Sequence, residues 1–229
     1  MAHKIGVIIP AAGAGRRLGG VTKPLIEVGG KPIILRLLHL FSRQPDVYRI
    51  CVAAPRAEIA DFRRIGDTSG IKVSIVEGGS ERAVSVKNAY DSLSDSLSEE
   101  DLVCIHDAAR PLLSEEDLAS VISVATKFGA AFLAARVKDT LKLVGEGGVC
   151  LSTIDRTNLF AAQTPQVMKS AYLKRAYSEV GDYSGITDEI MLMEKIGVGA
   201  VVVEPRRPNL KLTSPEDLDL IMNLIDLTS

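Results

Sequence analysis

Tryptophan is absent from the 229-residue chain, and aromatic residues make up only 4% of it. Proteins that grip single-stranded nucleic acid stack its bases on aromatic rings, so this scarcity argues against that class. The formal net charge of −2 gives no whole-molecule attraction for nucleic acid, and any anion site must be local. No apolar stretch approaches the roughly 20 residues that span a bilayer, so no membrane partner is expected. The three cysteines, Cys51, Cys104 and Cys150, lie far apart and lack metal-ligand spacing. Cys51 and Cys104 sit in apolar surroundings and read as small buried hydrophobes. A strand begins almost at the N-terminus, which leaves no room for a targeting peptide, and a reducing cytoplasm is the expected compartment. Histidine is equally scarce: His106 reads as a packing residue rather than a base, and His3 and His39 have no nameable partners. Two nucleotide signatures are missing as well. Gly30-Lys31 is followed by Pro32 and makes no Walker A loop, and Leu18 stands where a dinucleotide fingerprint needs a small residue.

What is present begins with the apolar run Ile5–Ile9, which reads as a buried strand. It breaks into the small residues Ala11, Ala12, Gly13, Ala14 and Gly15, then Arg16, Arg17 and, a little later, Lys23. Bare backbone lets a ligand come close, so successive N–H groups can point at phosphate oxygens, and the cations add mobile positive charge beside them. This is chemistry for a polyphosphate; the plainer alternative is a tight strand-to-helix turn with solvated arginines.

Further along, short apolar runs alternate with amphipathic stretches, the pattern of an α/β fold with a mostly parallel sheet. Strands are expected at 4–9, 50–54, 72–76, 102–105, 130–134 and 200–203, with helices at 32–42, 56–65, 81–93 and 114–128. Ser114 is the expected N-cap of the last of these, with Asp117 three residues on. Ser214-Pro215-Glu216-Asp217 opens a C-terminal helix in the same manner. Residues 136–157 break the rhythm, because two alternating runs flank Gly145-Glu146-Gly147-Gly148 and read as a projecting β-hairpin. Such an arm is marginal alone in water and better placed against a partner subunit. With no repeat, low-complexity tract or linker, the chain reads as one domain, 1–229, with an arm.

Asp107 follows the strand ending at Ile105, where ligands collect in doubly wound sheets; it could bind a metal or a ribose hydroxyl, or simply cap the next turn. Gly78-Gly79-Ser80-Glu81-Arg82 is a second glycine-rich junction. Its glycines permit close approach to a flat base, and Arg82 and Ser85 could read its edge, unless the segment is only a helix start with Ser80 as N-cap. Lys211, in the strand-like run 210–213, either snorkels to solvent or points inward at an anion.

Taken together, Pro10–Arg17, Lys23, the Gly-Gly-x-Glu-Arg-x-x-Ser run, His106–Pro111, Asp139-Thr140, Asp155-Arg156, Thr164–Gln166, Thr187–Glu189 and Lys211–Asp217 resemble the 2-C-methyl-D-erythritol 4-phosphate cytidylyltransferase family over nearly the whole chain. The resemblance implies a Rossmann-like three-layer nucleotidyltransferase fold and a homodimer built through β-arms. It also implies a divalent metal, usually Mg²⁺, and cytidylyl transfer from CTP to methylerythritol phosphate with release of pyrophosphate, a step towards isoprenoids. Carried over by motif, Arg17 and Lys23 would stabilise the transition state, and Arg156 and Lys211 would be catalytic with them. Ala11–Gly15, Gly79, Ser80, Arg82, Ser85 and Ala108 would bind the nucleotide. Asp107 would place the metal, and Asp107, Arg110, Thr164, Thr187 and Lys211 would hold the methylerythritol phosphate, joined by Thr140 and Arg156 of the neighbouring subunit. Two departures stand out: Pro24 where many members carry Gln, and Ser80 where an Asp often lies beside the cytosine.

Rival readings are a cytidylyltransferase for another polyol phosphate, such as ribitol 5-phosphate, and a non-catalytic nucleotide-sensing module of the same fold. The intact Asp107–Pro111 motif leans against the first, and the retention of Arg17, Lys23 and Lys211 against the second.

Overall fold

The computed structural model describes residues 3–13 and 22–226. Along the chain the elements are β1 (Ile5–Pro10), β2 (Glu27–Val28), β3 (Lys31–Pro32), α1 (Ile33–Ser42), β4 (Val47–Ala54) and α2 (Ile59–Thr68). There follow β5 (Val73–Glu77), α3 (Arg82–Ser94), β6 (Leu102–Ile105), α4 (Glu115–Phe128), β7 (Ala130–Arg136), β8 (Leu141–Val144) and β9 (Cys150–Ile154). The chain closes with β10 (Phe160–Lys169), α5 (Ser170–Glu179), α6 (Glu189–Lys195), β11 (Val201–Val203) and α7 (Pro215–Asp226).

Seven strands form one sheet in the order β11-β7-β10-β6-β1-β4-β5. Every neighbouring pair is parallel except those made by β10, which runs antiparallel to both β6 and β7. The expected mostly parallel sheet is therefore present, with one reversed strand that the apolar pattern did not reveal. Pro165 explains the omission, since proline within an apolar run argues against a strand. It is tolerated because the β10–β7 register shifts between Ala162 and Gln166, so Pro165 sits where the ladder is already interrupted.

Alternation along the strands builds two cores, one on each face. Ile5, Val7 and Ile9 of β1 join Ile50 and Val52 of β4 against α1, α2, α4 and α7. Ile8, Cys51, Ala53, Val103 and Ile105 point the other way, against α3, α5 and α6. Near-continuous apolar runs follow from this burial on both faces. Cys51 and Cys104 are buried free thiols and Cys150 is exposed.

Local chemistry sets several boundaries. Ser114 Oγ accepts from Asp117 N at 3.1 Å and opens α4; Gly129, at φ 90°, ends it in the left-handed conformation that glycine tolerates best. The start of α3 differs from expectation, because it begins at Arg82 with Glu81 as N-cap and no side-chain cap, so Ser80 is not the capping residue. Residues 210–213 are not a strand; Leu212 N is tied to Ala109 O at 2.8 Å. The helices α5 and α6 were likewise not anticipated.

The arm forms as expected: β8 and β9 pair antiparallel as their own two-stranded sheet. Leu143, Val149 and Leu151 on it are 50%, 62% and 62% exposed, too open for a pair of strands to support alone.

Candidate active site

The segments beyond three strand ends meet in one cleft, those of β6 and β1 from the middle of the sheet and that of β5 from its edge. Beyond β1, Ala11 N continues the ladder to Ala53 O at 2.8 Å; beyond β5, Gly78 N bonds Ala54 O at 2.9 Å; beyond β6, His106 N bonds Ile8 O at 3.0 Å. The segments that follow wall a cleft of about 340 Å³, which Lys23, Pro24 and Lys211 also line. Ligands gather at such carboxyl ends in open α/β sheets.

This cleft brings together Ala11, Ala12, Gly13, Lys23, Gly79, Ser80, Arg82, Ser85, Asp107, Ala108 and Lys211 from the expected set. Ala14, Gly15 and Arg17 lie outside the described residues. The paired glycines have a different reason from the one expected. A Cβ on Gly78 would collide with the Cβ of Ala12, and one on Gly79 with the side chain of Val84. Protein packing, before any base, forbids side chains there. Ser85 Oγ accepts from Gly79 N and donates to Glu81 O, each at 3.0 Å, and so pins the turn.

The site's electrostatics form a chain of alternating charge. Glu189 Oε1 and Oε2 both accept from Arg82 Nη1 at 2.9 Å, Arg82 Nε donates to Asp107 Oδ1 at 2.8 Å, and Lys211 Nζ donates to Asp107 Oδ2 at 2.8 Å. Burial opposes the charge on Asp107, but Arg82 and Lys211 outweigh it and hold its carboxyl well below the usual range. Burial likewise works against the Arg82 cation and is overcome by Glu189 and Asp107, which raise it further. At Glu189 burial pushes the carboxyl up while the Arg82 pairing pulls it down. Lys211 thus points inward, and Lys23 Nζ donates to Leu212 O at 3.0 Å beside it.

His106 and Thr164 set the backbone of Asp107. His106 Nε2 lies 3.0 Å from Arg110 O, and a carbonyl can only accept, so this nitrogen carries the proton. Nδ1 then accepts from Thr164 Oγ1 at 3.1 Å, and the same oxygen accepts from Asp107 N at 3.0 Å. Burial brings the imidazole down to about 4, so it is neutral at pH 7 and serves as scaffold.

The remaining expected residues lie apart from the cleft wall. Arg110 is buried and donates from Nη1 to Asn209 O at 2.7 Å. Thr164 is engaged behind Asp107, and the exposed Thr187 has its hydroxyl 3.0 Å from Met191 Sδ. Thr140 and Arg156 belong to the exposed arm, where the Arg156 guanidinium donates to Lys138 O. Sequence reasoning assigned no role to Gln166 or Glu189. Gln166 Oε1 accepts from Glu189 N at 2.9 Å and its Nε2 donates to Asp188 Oδ2 at 3.1 Å, joining the Thr164–Gln166 and Thr187–Glu189 runs. Those polar runs were the only available signal.

Among the described residues no group of three His, Cys, Asp or Glu side chains could hold a metal. A protein-built cage is therefore absent there. Asp107, with each oxygen using one acceptor position on a cation, can still offer a ligand to a hard cation otherwise bound by phosphate oxygens, the habit of Mg²⁺.

The sequence matches the family profile IspD: 2-C-methyl-D-erythritol 4-phosphate cytidylyltransferase over residues 5–225. It is similar to the enzyme of that name from Halalkalibacterium halodurans, 40% identical over 216 residues, covering 93% of this chain and 92% of the relative. It is also 36% identical to a "Bifunctional enzyme IspD/IspF" of Desulfotalea psychrophila, covering 96% of this chain but 56% of that one. A crystal structure of 4-diphosphocytidyl-2C-methyl-D-erythritol synthase superposes with a TM-score of 0.81 at 33% identity, covering 98% of this chain and all of that one.

Proposed function

The chain belongs to the 2-C-methyl-D-erythritol 4-phosphate cytidylyltransferase family, and from that membership we propose how its residues divide the work. The reaction is transfer of a cytidylyl group from CTP to 2-C-methyl-D-erythritol 4-phosphate, giving 4-diphosphocytidyl-2-C-methyl-D-erythritol and pyrophosphate, a step of the non-mevalonate route to isoprenoids. The substrate phosphate is itself an adequate nucleophile, so no covalent intermediate or strong base is required. The demands are alignment of two anions, in-line approach and stabilisation of charge on the α-phosphoryl group and the departing pyrophosphate.

The observation that carries this assignment is the cleft in which Lys23, Arg82, Asp107 and Lys211 meet beside bare backbone. Lys23 faces the triphosphate and, together with Arg17, supports the charge that grows during transfer. The segments Ala11–Gly15 and Gly79–Ser85, with Ala108, receive the nucleotide. Lys211 orients the attacking phosphate. Asp107 would ligate a divalent metal such as Mg²⁺, which when bound supplies charge neutralisation on the phosphate oxygens.

Arg156 and Thr140 serve the site of a second copy. Support comes from the arm's exposed apolar residues and from neither side chain lining its own chain's cleft. Arg110, Thr164 and Thr187 act near the methylerythritol phosphate, Thr164 chiefly by holding Asp107. We place the enzyme in the cytoplasm with no nucleic-acid or membrane partner, a reading supported by its free cysteines. No helix among the described residues is long and apolar enough to cross a membrane.

The deciding experiment is pyrophosphate release with Mg²⁺, CTP and each polyol phosphate supplied separately. Release with methylerythritol phosphate and not with ribitol 5-phosphate is the expected outcome. The reverse preference would reassign the acceptor, and no release with either would return the chain to a nucleotide-sensing role.

A further inference from the structure

The two ends of the charge chain have different surroundings. Glu189 is 0% exposed and lies outside the cleft wall, whereas Lys211 keeps 43% of its side-chain surface open. Burying an ion pair is costly, and apolar replacement of such a pair is often neutral or stabilising, so stability alone is a weak reason for Glu189.

Arg82 supplies a better one. A guanidinium left to itself engages one carboxylate through two parallel N–H groups. Here it is stretched between two carboxylates, with Nη1 on Glu189 and Nε on Asp107, while Nη2 is buried without a partner among the described residues. The hydrogen bonding of Arg82 is left incomplete, yet its orientation is fixed from both sides. Glu189 is itself anchored, since its N–H donates to Gln166 Oε1 and Gln166 also holds Asp188, the N-cap of α6.

We propose that Glu189 is a positioning residue for cytidylyl transfer: it holds Arg82 in the orientation that presents Asp107 and, through Asp107, Lys211 to the substrates. This rests on the proposed function, in which Asp107 and Lys211 act on the substrates. Without the Glu189 charge, Arg82 and Lys211 set two cations against one carboxylate. The outer end of Arg82 is then free to turn, Asp107 follows it, and Lys211 loses its fixed partner.

The test is a double-mutant cycle on the full-length enzyme with CTP and methylerythritol phosphate, reading kcat and KM for Glu189→Gln, Lys211→Gln and the pair. Glu189→Gln should lower kcat about 10- to 100-fold, the usual effect of removing a group that orients a functional residue from behind. The KM for methylerythritol phosphate, which Lys211 holds, should rise as kcat falls, a change that general loss of folded enzyme, which lowers apparent kcat alone, would not produce. In the double variant the losses should combine to less than their product, because the part of the Glu189 effect that runs through Lys211 is gone and only the part that runs through Asp107 remains. Multiplying losses, or wild-type kcat in Glu189→Gln, would overturn the proposal while leaving the site assignment intact. Wild-type kcat in Lys211→Gln would overturn the site assignment and this inference together. Should the Gln variant not fold, Glu189→Asp, with the charge kept and the reach shortened, takes its place in the cycle, and the same outcomes support or overturn the proposal.

Discussion

Lys23 and Lys211 reach one cleft from opposite ends of the chain, and Lys23 touches the carbonyl of Leu212, the residue after Lys211. On the proposed function their expected effects differ, because Lys23 would face charge that develops during transfer and Lys211 a phosphate that must be aimed. Lys23→Ala should lower kcat by about 10²–10³, the range for loss of one preorganised electrostatic donor, with little change in CTP binding. Steady-state kinetics at saturating CTP decide this, and near-wild-type turnover would remove Lys23 from the transition state. Lys211→Gln keeps most of the side chain's length and removes its charge, leaving Asp107 to Arg82 alone. It should raise the KM for methylerythritol phosphate and lower kcat, with CTP affinity, measured by calorimetric titration, nearly unchanged. A collapse of CTP affinity with an unaltered KM for the polyol phosphate would put Lys211 on the other substrate.

At the scale of the element, the start of α7 is a reciprocal cap. Asp217 Oδ2 accepts from Thr213 Oγ1, Thr213 N and Ser214 N, and Ser214 Oγ accepts from Asp217 N at 3.4 Å. The Thr213 hydroxyl first, then the two backbone N–H groups, bring the Asp217 carboxyl down to about 2. A folded value below the ordinary one means the cap's contribution is complete above pH of about 4 and fades as the pH falls towards 2. Hydrogen exchange in α7 should therefore quicken across that acid window in the wild type, and Asp217→Asn should weaken the dependence, leaving only what Glu216 beside it contributes. Identical acid profiles in the two proteins would show that Asp217 does not couple α7 to pH. Ser214→Ala, which removes the longer of these bonds, should cost about 0.5–1 kcal/mol in chemical denaturation.

For the whole molecule, the proposed function has the arm of a second copy complete each cleft. Each site should draw Lys23 from its own chain and Arg156 from the other. An inactive Lys23→Ala chain and an inactive Arg156→Ala chain, co-expressed, should then form hybrid dimers with one intact site in each. Recovered activity in isolated heterodimers is the expected outcome. Verified heterodimers without recovery would show that Arg156 serves its own subunit's site or none. Exposed Leu143, Val149 and Leu151 make the arm the natural surface for this exchange, since a two-stranded ribbon with open apolar residues is marginal by itself.

The sequence by itself determined what depends on neighbours a few residues away. Apolar runs marked the strands that are buried on both faces, Ser114 and Ser214 marked helix starts, alternation around Gly145–Gly148 marked the arm, and small residues after Ile9 and Val76 marked where backbone lies bare. Only the tertiary structure decided which strands are neighbours and which charges meet. The reversed β10 between β6 and β7 hides behind Pro165, tolerated because a register shift already breaks the ladder there. Arg82 meets Glu189 across 107 positions and Asp107 meets Lys211 across 104. A carboxylate's local sequence can show that it caps a helix or follows a strand. It carries no record of a cation a hundred residues away, because that pairing comes from how the strand ends and helices converge, and burial then makes the pairing obligatory.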